Sequence, residues 1–275
     1  MKLRFTKMHG AGNDFVIVDC RRAPLTLDVA KIARLGDRHF GVGFDQLLTI
    51  EPPRDPSCTF AYGIYNADGS LARQCGNGLR CVAAWLYRAG AIGAGEWQLQ
   101  SPSGPVSISV GDDGSVRAGM GQARFAPDDI PLRLPQADPY RLSANGYEVE
   151  FGAVSMGNPH AVIEVADVAT APLATLGAVL SGDPHFPQGC NVGFVQVVDQ
   201  TRVRLRVWER GAGATLACGT GACAAVAVLR RRGKLDADVA VELPGGILQI
   251  HWTGADAGVT MSGPTQFVFE GEYDA

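Results

Sequence analysis

The feature that most limits what this chain can become is that it repeats itself. "GNDFVIVD" at residues 12–19 returns as "GNPHAVIEV" at 157–165, and "GVGFDQLLTIE" from 41 has a counterpart in "PQGCNVGFVQV" from 187. "IYNADGSLARQCGNG" from 64 is echoed by "VWERGAGATLACGTG" from 207, with Cys75 on Cys218. The order is kept, and the interval from Asn13 to Cys75 matches that from Asn158 to Cys218 to within two residues. Gly-rich turns recur by chance in any chain, but rarely in one order at one spacing. The repetition therefore predicts two domains of one fold, joined near residues 118–121. A chain of 275 residues is long enough for each half to bury its own core.

Short β-branched and aromatic runs bounded by Gly, Pro or Asp read as strands: FVIVDC, LLTIEP, CTFAYGIYN, WQLQS, VSISV, AVIEV, VGFVQVV, VRLRVWE, VAVEL and ILQIHW. GDDGS and LPGG fall between such runs as hairpin turns, which implies largely antiparallel pairing. Two helices are expected over 79–89 and 222–232, each closed by glycine with arginine in its last turn. Both are apolar on nearly every face, so each should be wrapped by a sheet. A third, amphipathic helix is expected over 27–38.

The net charge is −4 with acids and bases interspersed, which offers neither a basic stripe for nucleic acid nor a polybasic patch for a membrane. A small molecule is the expected partner. No apolar stretch approaches a membrane span, and the charges scattered through MKLRFTKMHGAGNDF do not make a signal core, so a cytoplasmic location is expected. Seven cysteines, an odd number, are read as reduced thiols.

Cys75 and Cys218 each end a strand-like segment and open a helix with Gly-x-Gly. Backbone N–H groups and the positive end of the helix dipole gather there, a setting that lowers a thiol pKa and cradles a carboxylate. If a pseudo-two-fold axis relates the halves, the two thiols face one ligand. Two weak acid/base groups on opposite sides of one carbon suit inversion of a stereocentre, one removing a proton while the other delivers one. The carboxylate that takes up developing charge needs fixed donors, and helix starts supply them. Pyridoxal enzymes solve this problem with a lysine Schiff base. Of Lys2, Lys7, Lys31 and Lys234, only Lys7 lies near a motif, HGAGNDF, and nothing around it resembles a phosphate site. A cofactor-free reaction with no metal is expected. The spacings Cys75 to Cys81 and Cys218 to Cys223 lack the C-x-x-C pairing of zinc or thioredoxin-like sites, which counts against the alternative of a thiol redox or metal-binding protein.

"MHGAGNDFVIVD", "YNADGSLARQCGNGLRC", "SMGNPHAV", "NVGF" and the WERGAG and TLACGTGACA stretches, in this order over essentially the whole chain, resemble the diaminopimelate epimerase family. The resemblance implies a pyridoxal-independent isomerase that interconverts LL- and meso-diaminopimelate in lysine and cell-wall biosynthesis, commonly as a homodimer. It implies an α/β (α+β) fold of two pseudo-symmetric domains, each a mixed, largely antiparallel strand layer curled around a central apolar helix. The last residues return to the first domain, giving 1–118 plus 263–275 and 119–262. By motif, Cys75 and Cys218 resemble the acid/base pair, one thiolate and one thiol at rest. Gly76, Asn77, Gly219 and Thr220 resemble the cradle for the reacting carboxylate. Asn13, Gln46, Asn66, Asn158, Asn191, Glu209 and Arg210 match substrate-holding positions, with Arg210 on the distal carboxylate, while His160 and Glu209 resemble supports for proton transfer. A proline or hydroxyproline racemase on the same fold is the nearer alternative; its substrate has no second ammonium and carboxylate to hold.

Duller readings apply elsewhere. Cys81 and Cys223 lie inside apolar helices, and Cys20, Cys58 and Cys190 in strand-like or unpatterned surroundings, so all five are expected to be packing residues. Asn13 and Asn158 could serve only as turn residues. His9 and His39 have no evident partner. Three positions depart from the family pattern: Ala214 and Leu71 in the loops before the cysteines, and Phe269 where a tyrosine is common, which bears on a dimer contact.

Overall fold

The computed structural model describes residues 2–25, 27–254 and 256–274, and the chain divides into two compact units, residues 1–119 with 262–275, and 120–261. The first unit contains β1 (Lys2–Gly10), β2 (Asn13–Asp19), α1 (Val29–Gly36), β3 (Gln46–Glu51), β4 (Phe60–Asn66), α2 (Gly76–Arg88), β5 (Gly95–Ser101), β6 (Gly104–Val110) and β7 (Val116–Gly119). The second contains β8 (Tyr140–Ala144), β9 (Tyr147–Ser155), β10 (Pro159–Glu164), a π turn (Leu173–Gly177) running into α3 (Ala178–Ser181), β11 (Asn191–Asp199), β12 (Arg202–Glu209), β13 (Gly213–Thr215), α4 (Gly219–Arg231), β14 (Asp238–Leu243) and β15 (Gly246–His251). At β16 (Thr260–Ser262) the chain passes back, and β17 (Gln266–Asp274) completes the first unit.

The pairing scheme is the same twice. In the first unit β17–β1 and β1–β2 are antiparallel, β2–β3 parallel, β3–β4 antiparallel, β4–β5 parallel and β5–β6 antiparallel. In the second, β8–β9, β9–β10, β10–β11, β11–β12, β12–β14 and β14–β15 follow the identical alternation. Each parallel pair needs a crossover. α1 bridges β2 to β3, and the π turn with α3 bridges β10 to β11.

These strands are apolar over consecutive residues because both faces are covered. Val16, Val18 and Leu47 pack with Ile32 and Leu35 of α1, while α2 lies against β1, β2, β3, β6 and β7. In the second unit Leu173, Leu176 and Leu180 pack on Ala161, Ile163, Val192 and Phe194, while α4 lies against β9, β10, β11, β12 and β15. α2 is less uniformly apolar than its sequence implies, for it buries Arg80 completely.

Three boundaries differ from expectation for local reasons. α1 is shorter than 27–38 because Asp28 caps it, accepting the Lys31 N–H at 2.8 Å, and the backbone turns extended at Asp37. α2 and α4 begin three residues before the expected 79 and 222, at Gly76 and Gly219, because the Gly-x-Gly after each cysteine already forms the first helical turn. The hairpin between β8 and β9, not anticipated, turns on Asn145 and Gly146 at φ +48 and +82, the positive pair that a tight reversal requires.

Candidate active site

Strand register turns the sequence repeat into a positional one. Phe15 lies opposite Gln46, and Gln46 opposite Asn66; His160 lies opposite Asn191, and the Val192–Trp208 pair places Glu209 beside Asn191. Asn13 and Asn158, Gln46 and Asn191, Asn66 and Glu209, and Cys75 and Cys218 therefore occupy equivalent places, each set within its own unit.

In the first unit Cys75 caps α2, and its Sγ accepts the Gly78 N–H at 3.3 Å. The thiol points to Asn13 Oδ1, 3.7 Å away, which also accepts Asn77 Nδ2 at 3.3 Å. Gln46 Nε2 donates to Asn66 Oδ1 at 3.1 Å. A methyl group on Gly78 would come within 3.3 Å of Leu48, so glycine lets the helix start lie close to the strand that carries Gln46.

In the second unit Cys218 opens α4 and is 3 % exposed. Its Sγ lies 3.6 Å from Thr220 Oγ1, which accepts Asn158 Nδ2 at 3.4 Å. Asn158 Oδ1 in turn meets His160 Nε2 at 3.0 Å. His160 thus reaches the sulfur only through Asn158 and Thr220 in this row of contacts. Glu209 accepts the Thr215 hydroxyl at 2.6 Å. The exposed Arg210 gives its backbone N–H to Asn191 Oδ1 at 3.0 Å and one guanidinium N–H to the Gln188 carbonyl at 2.6 Å. Asn191 Nδ2 donates to the Pro159 carbonyl at 3.4 Å.

The expectation that a helix start makes both thiols ionise readily fails for Cys218. Burial pushes this thiol well above its ordinary range, and the Glu209 carboxylate adds to the shift; Thr220 and the Gly221 N–H oppose it without prevailing. The magnitudes explain the outcome. A helix dipole supplies about 0.3–1 kcal/mol, whereas full burial moves a pKa by several units of roughly 1.4 kcal/mol each. Cys218 is a protonated thiol. Burial, aided by the Arg210 charge, likewise holds His160 down at about 3, so its ring is neutral.

The remaining cysteines pack. Cys20, Cys58, Cys81, Cys190 and Cys223 are all buried, and burial pushes Cys81 up to about 12 and Cys190 higher still. Sequence reasoning missed Asp14, Arg38 and Asp45, which form an ionic cluster beside Asn13. Lys7 belongs to it, paired with Asp14 at 2.5 Å. The only signal was the acidic residue adjoining each motif amide, Asn13-Asp14 and Asp45-Gln46. Among the described residues no group of three His, Cys, Asp or Glu side chains converges as a metal site.

A family model described as diaminopimelate epimerase matches residues 5–126 and 152–268. Among known proteins, the chain is 54 % identical to a diaminopimelate epimerase of Xanthomonas euvesicatoria, covering 99 % of this chain and 97 % of that one. It is 48 % identical to one from Azotobacter vinelandii, covering 99 % of each. Among solved structures, a hydroxyproline epimerase from Agrobacterium vitis superposes with TM-score 0.71 at 16 % identity over 98 % of this chain and 92 % of that one. A predicted epimerase from Pseudomonas aeruginosa gives 0.68 at 19 % over 98 % and 99 %. At such identities the structural likenesses speak to the fold alone.

Proposed function

The chain belongs to the diaminopimelate epimerase family, isomerases of lysine biosynthesis, and on that premise we propose that it inverts one α-carbon of diaminopimelate with Cys75 and Cys218 on opposite faces and no cofactor. The observation that carries this reading is that two cysteines at equivalent helix starts each sit in a shell of amide and hydroxyl groups; burial, which pushes the Cys218 thiol up, supports giving it the proton-donating role.

In the resting enzyme Cys75 is then the base. Its sulfur takes the α-proton, the C–H electron pair passes into the substrate carboxylate, and Cys218 delivers its S–H proton to the opposite face. The reverse reaction exchanges the two roles. The helix starts at Gly76-Asn77 and Gly219-Thr220 hold the reacting carboxylate, whose charge grows in the transition state. Glu209 accepts the reacting ammonium and stands beside Cys218 to stabilise its proton. Arg210 takes the distal carboxylate, with Asn13, Gln46, Asn66, Asn158 and Asn191 supplying amide partners for the remaining polar groups. His160, neutral and buried, orients Asn158.

The distal cation at Arg210 favours diaminopimelate over proline or hydroxyproline, which would leave it unpaired. We place the protein in the cytoplasm as a homodimer. Among the described residues no helix is long and apolar enough to cross a membrane, and Val268 and Phe269 of β17 are about half exposed.

The test is epimerisation of LL-diaminopimelate in heavy water. Deuterium should enter the inverted α-carbon, Cys75→Ala and Cys218→Ala should each lower turnover by about 10²–10⁴, and proline should not react. Wild-type turnover in either variant, or faster turnover of proline, sinks the scheme.

A further inference from the structure

In the first unit a row of hydrogen bonds fixes the sense of two side-chain amides at both ends. Asp45 Oδ2 accepts Asn13 Nδ2 at 2.7 Å, Asn13 Oδ1 accepts Asn77 Nδ2 at 3.3 Å, and Asn77 Oδ1 accepts Arg80 Nη2 at 3.1 Å. A carboxylate only accepts and a guanidinium only donates. With Asp45 at one end and the buried Arg80 at the other, each amide has one orientation, and Asn13 turns its oxygen toward the Cys75 sulfur 3.7 Å away.

Asp45 is itself clamped. Its Oδ1 accepts Arg38 Nη2 at 2.9 Å, and its backbone N–H donates to Asp14 Oδ1 at 3.1 Å. The Asp14 N–H donates to Asp45 Oδ2 at 3.1 Å, and Arg38 Nη2 also reaches Asp14 Oδ1 at 2.7 Å. Lys7 closes the cluster from β1 through Asp14 and the Gly43 carbonyl. Burial pushes the Asp14 carboxyl up, but Arg38 and Lys7 more than offset it and hold the group below its ordinary range.

Two contacts of Cys75 suit different protonation states. Gly78 N–H donates to the sulfur, which suits the thiolate, and Asn13 Oδ1 accepts the S–H, which suits the thiol. Among the described residues, Tyr62 on β4 and Cys81 on α2 feel its charge, and burial keeps both protonated. Arg80 is the buried cation of the same helix.

Resting on the acid/base role given to Cys75 above, we propose that Asp45 is a positioning residue for that step. By holding Asn13 Nδ2 it keeps Asn13 Oδ1 on the sulfur, ready to receive the thiol hydrogen once the α-proton has been taken. It acts through Asn13, with Lys7, Asp14 and Arg38 fixing it in place.

Peptide-resolved alkylation by iodoacetamide, measured on the acid side of the wild-type pH–rate profile where the Cys75 thiol predominates, reads the sulfur without any turnover. Asp45→Ala should speed alkylation of Cys75 by about three- to tenfold, the equilibrium worth of one hydrogen bond to the thiol, while Cys20 and Cys81 stay protected. Asp45→Asn, which keeps an acceptor oxygen but no charge, should restore the wild-type rate. In an Asn13→Ala background, Asp45→Ala should add nothing. The inference is overturned if Asp45→Asn behaves like Asp45→Ala, if the effect of Asp45→Ala persists without Asn13, or if a folded Asp45→Ala leaves the rate unchanged. Should Asp45→Ala fail to fold, Asn13→Ala alone must give the same acceleration, and an unchanged rate overturns the inference equally. Epimerisation by Cys75→Ala is measured separately, so failure of the assigned chemistry is told apart from failure of the positioning.

Discussion

His160 Nε2 stands 3.0 Å from Asn158 Oδ1 inside the core of the second unit, where the imidazole is 1 % exposed. Burial keeps that ring neutral down to about pH 3, whereas in the unfolded chain it takes up a proton below its ordinary 6.5. The unfolded state therefore binds more protons between these two values. The contribution is complete above about pH 6.5 and is lost at roughly 1.4 kcal/mol per pH unit as pH falls through that window. Urea unfolding of the wild type and His160→Gln at pH 5 and 7 should show the difference in stability narrowing toward acid. Equal differences at both pH values would mean that the ring is not neutral in the folded protein.

Glu209 raises the Cys218 thiol, but burial is the larger cause. Glu209→Gln should consequently leave Cys218 protonated at neutral pH, with alkylation still slow, while turnover falls because the group beside the thiol has lost its charge. Rapid alkylation of Cys218 in this variant, followed by mass spectrometry, would assign the dominant effect to Glu209 instead.

Gly189 has φ +66, and a Cβ there would meet Arg210 Cδ at 2.9 Å and the Ser181 carbonyl at 3.0 Å. Gly189→Ala should push the guanidinium off the Gln188 carbonyl and weaken its grip on a distal carboxylate. The expected outcome is a KM for LL-diaminopimelate raised by about tenfold or more, with stability reduced by about 1–2 kcal/mol from the strained backbone. An unchanged KM would separate Arg210 from substrate binding.

A Cβ on Gly221 would lie 3.2 Å from both Cβ and Sγ of Cys218 and 3.1 Å from Val207. Neither the helix start nor the strand can retreat easily in this packed core. Gly221→Ala should displace the sulfur and reduce kcat by about 10²-fold, with a smaller change in KM. Wild-type kcat would show that the thiol's position tolerates such a shift.

The repeat made the topology legible, because a shared order of motifs demands a shared order of strands and helices. The pairs Asn13/Asn158, Asn66/Glu209 and Cys75/Cys218 lie in the repeat itself, whereas Gln46 with Asn191 follows from strand register. That each cysteine opens a helix was legible, but the limits at 79 and 222 fell short because Gly-Asn-Gly and Gly-Thr-Gly carry poor helix propensity and are helical nonetheless. The ionisation of Cys218 was not readable either. Motif spacing locates a thiol at a helix end, but the depth of its burial comes from side chains contributed by distant strands. The Asp45–Asn13–Asn77–Arg80 row was hidden for the same reason, since hydrogen-bond sense is a property of three-dimensional neighbours.

The last strand, β17, lies antiparallel to the first, with Lys2 opposite Asp274. The sheet of the first unit is therefore whole only once residues 266–274 have been made, while the second unit, contiguous at 120–261, is finished sooner. Ending the chain before Gln266 would strip β1 of the flank that β17 provides, so a lesion late in the sequence is felt by a strand made early.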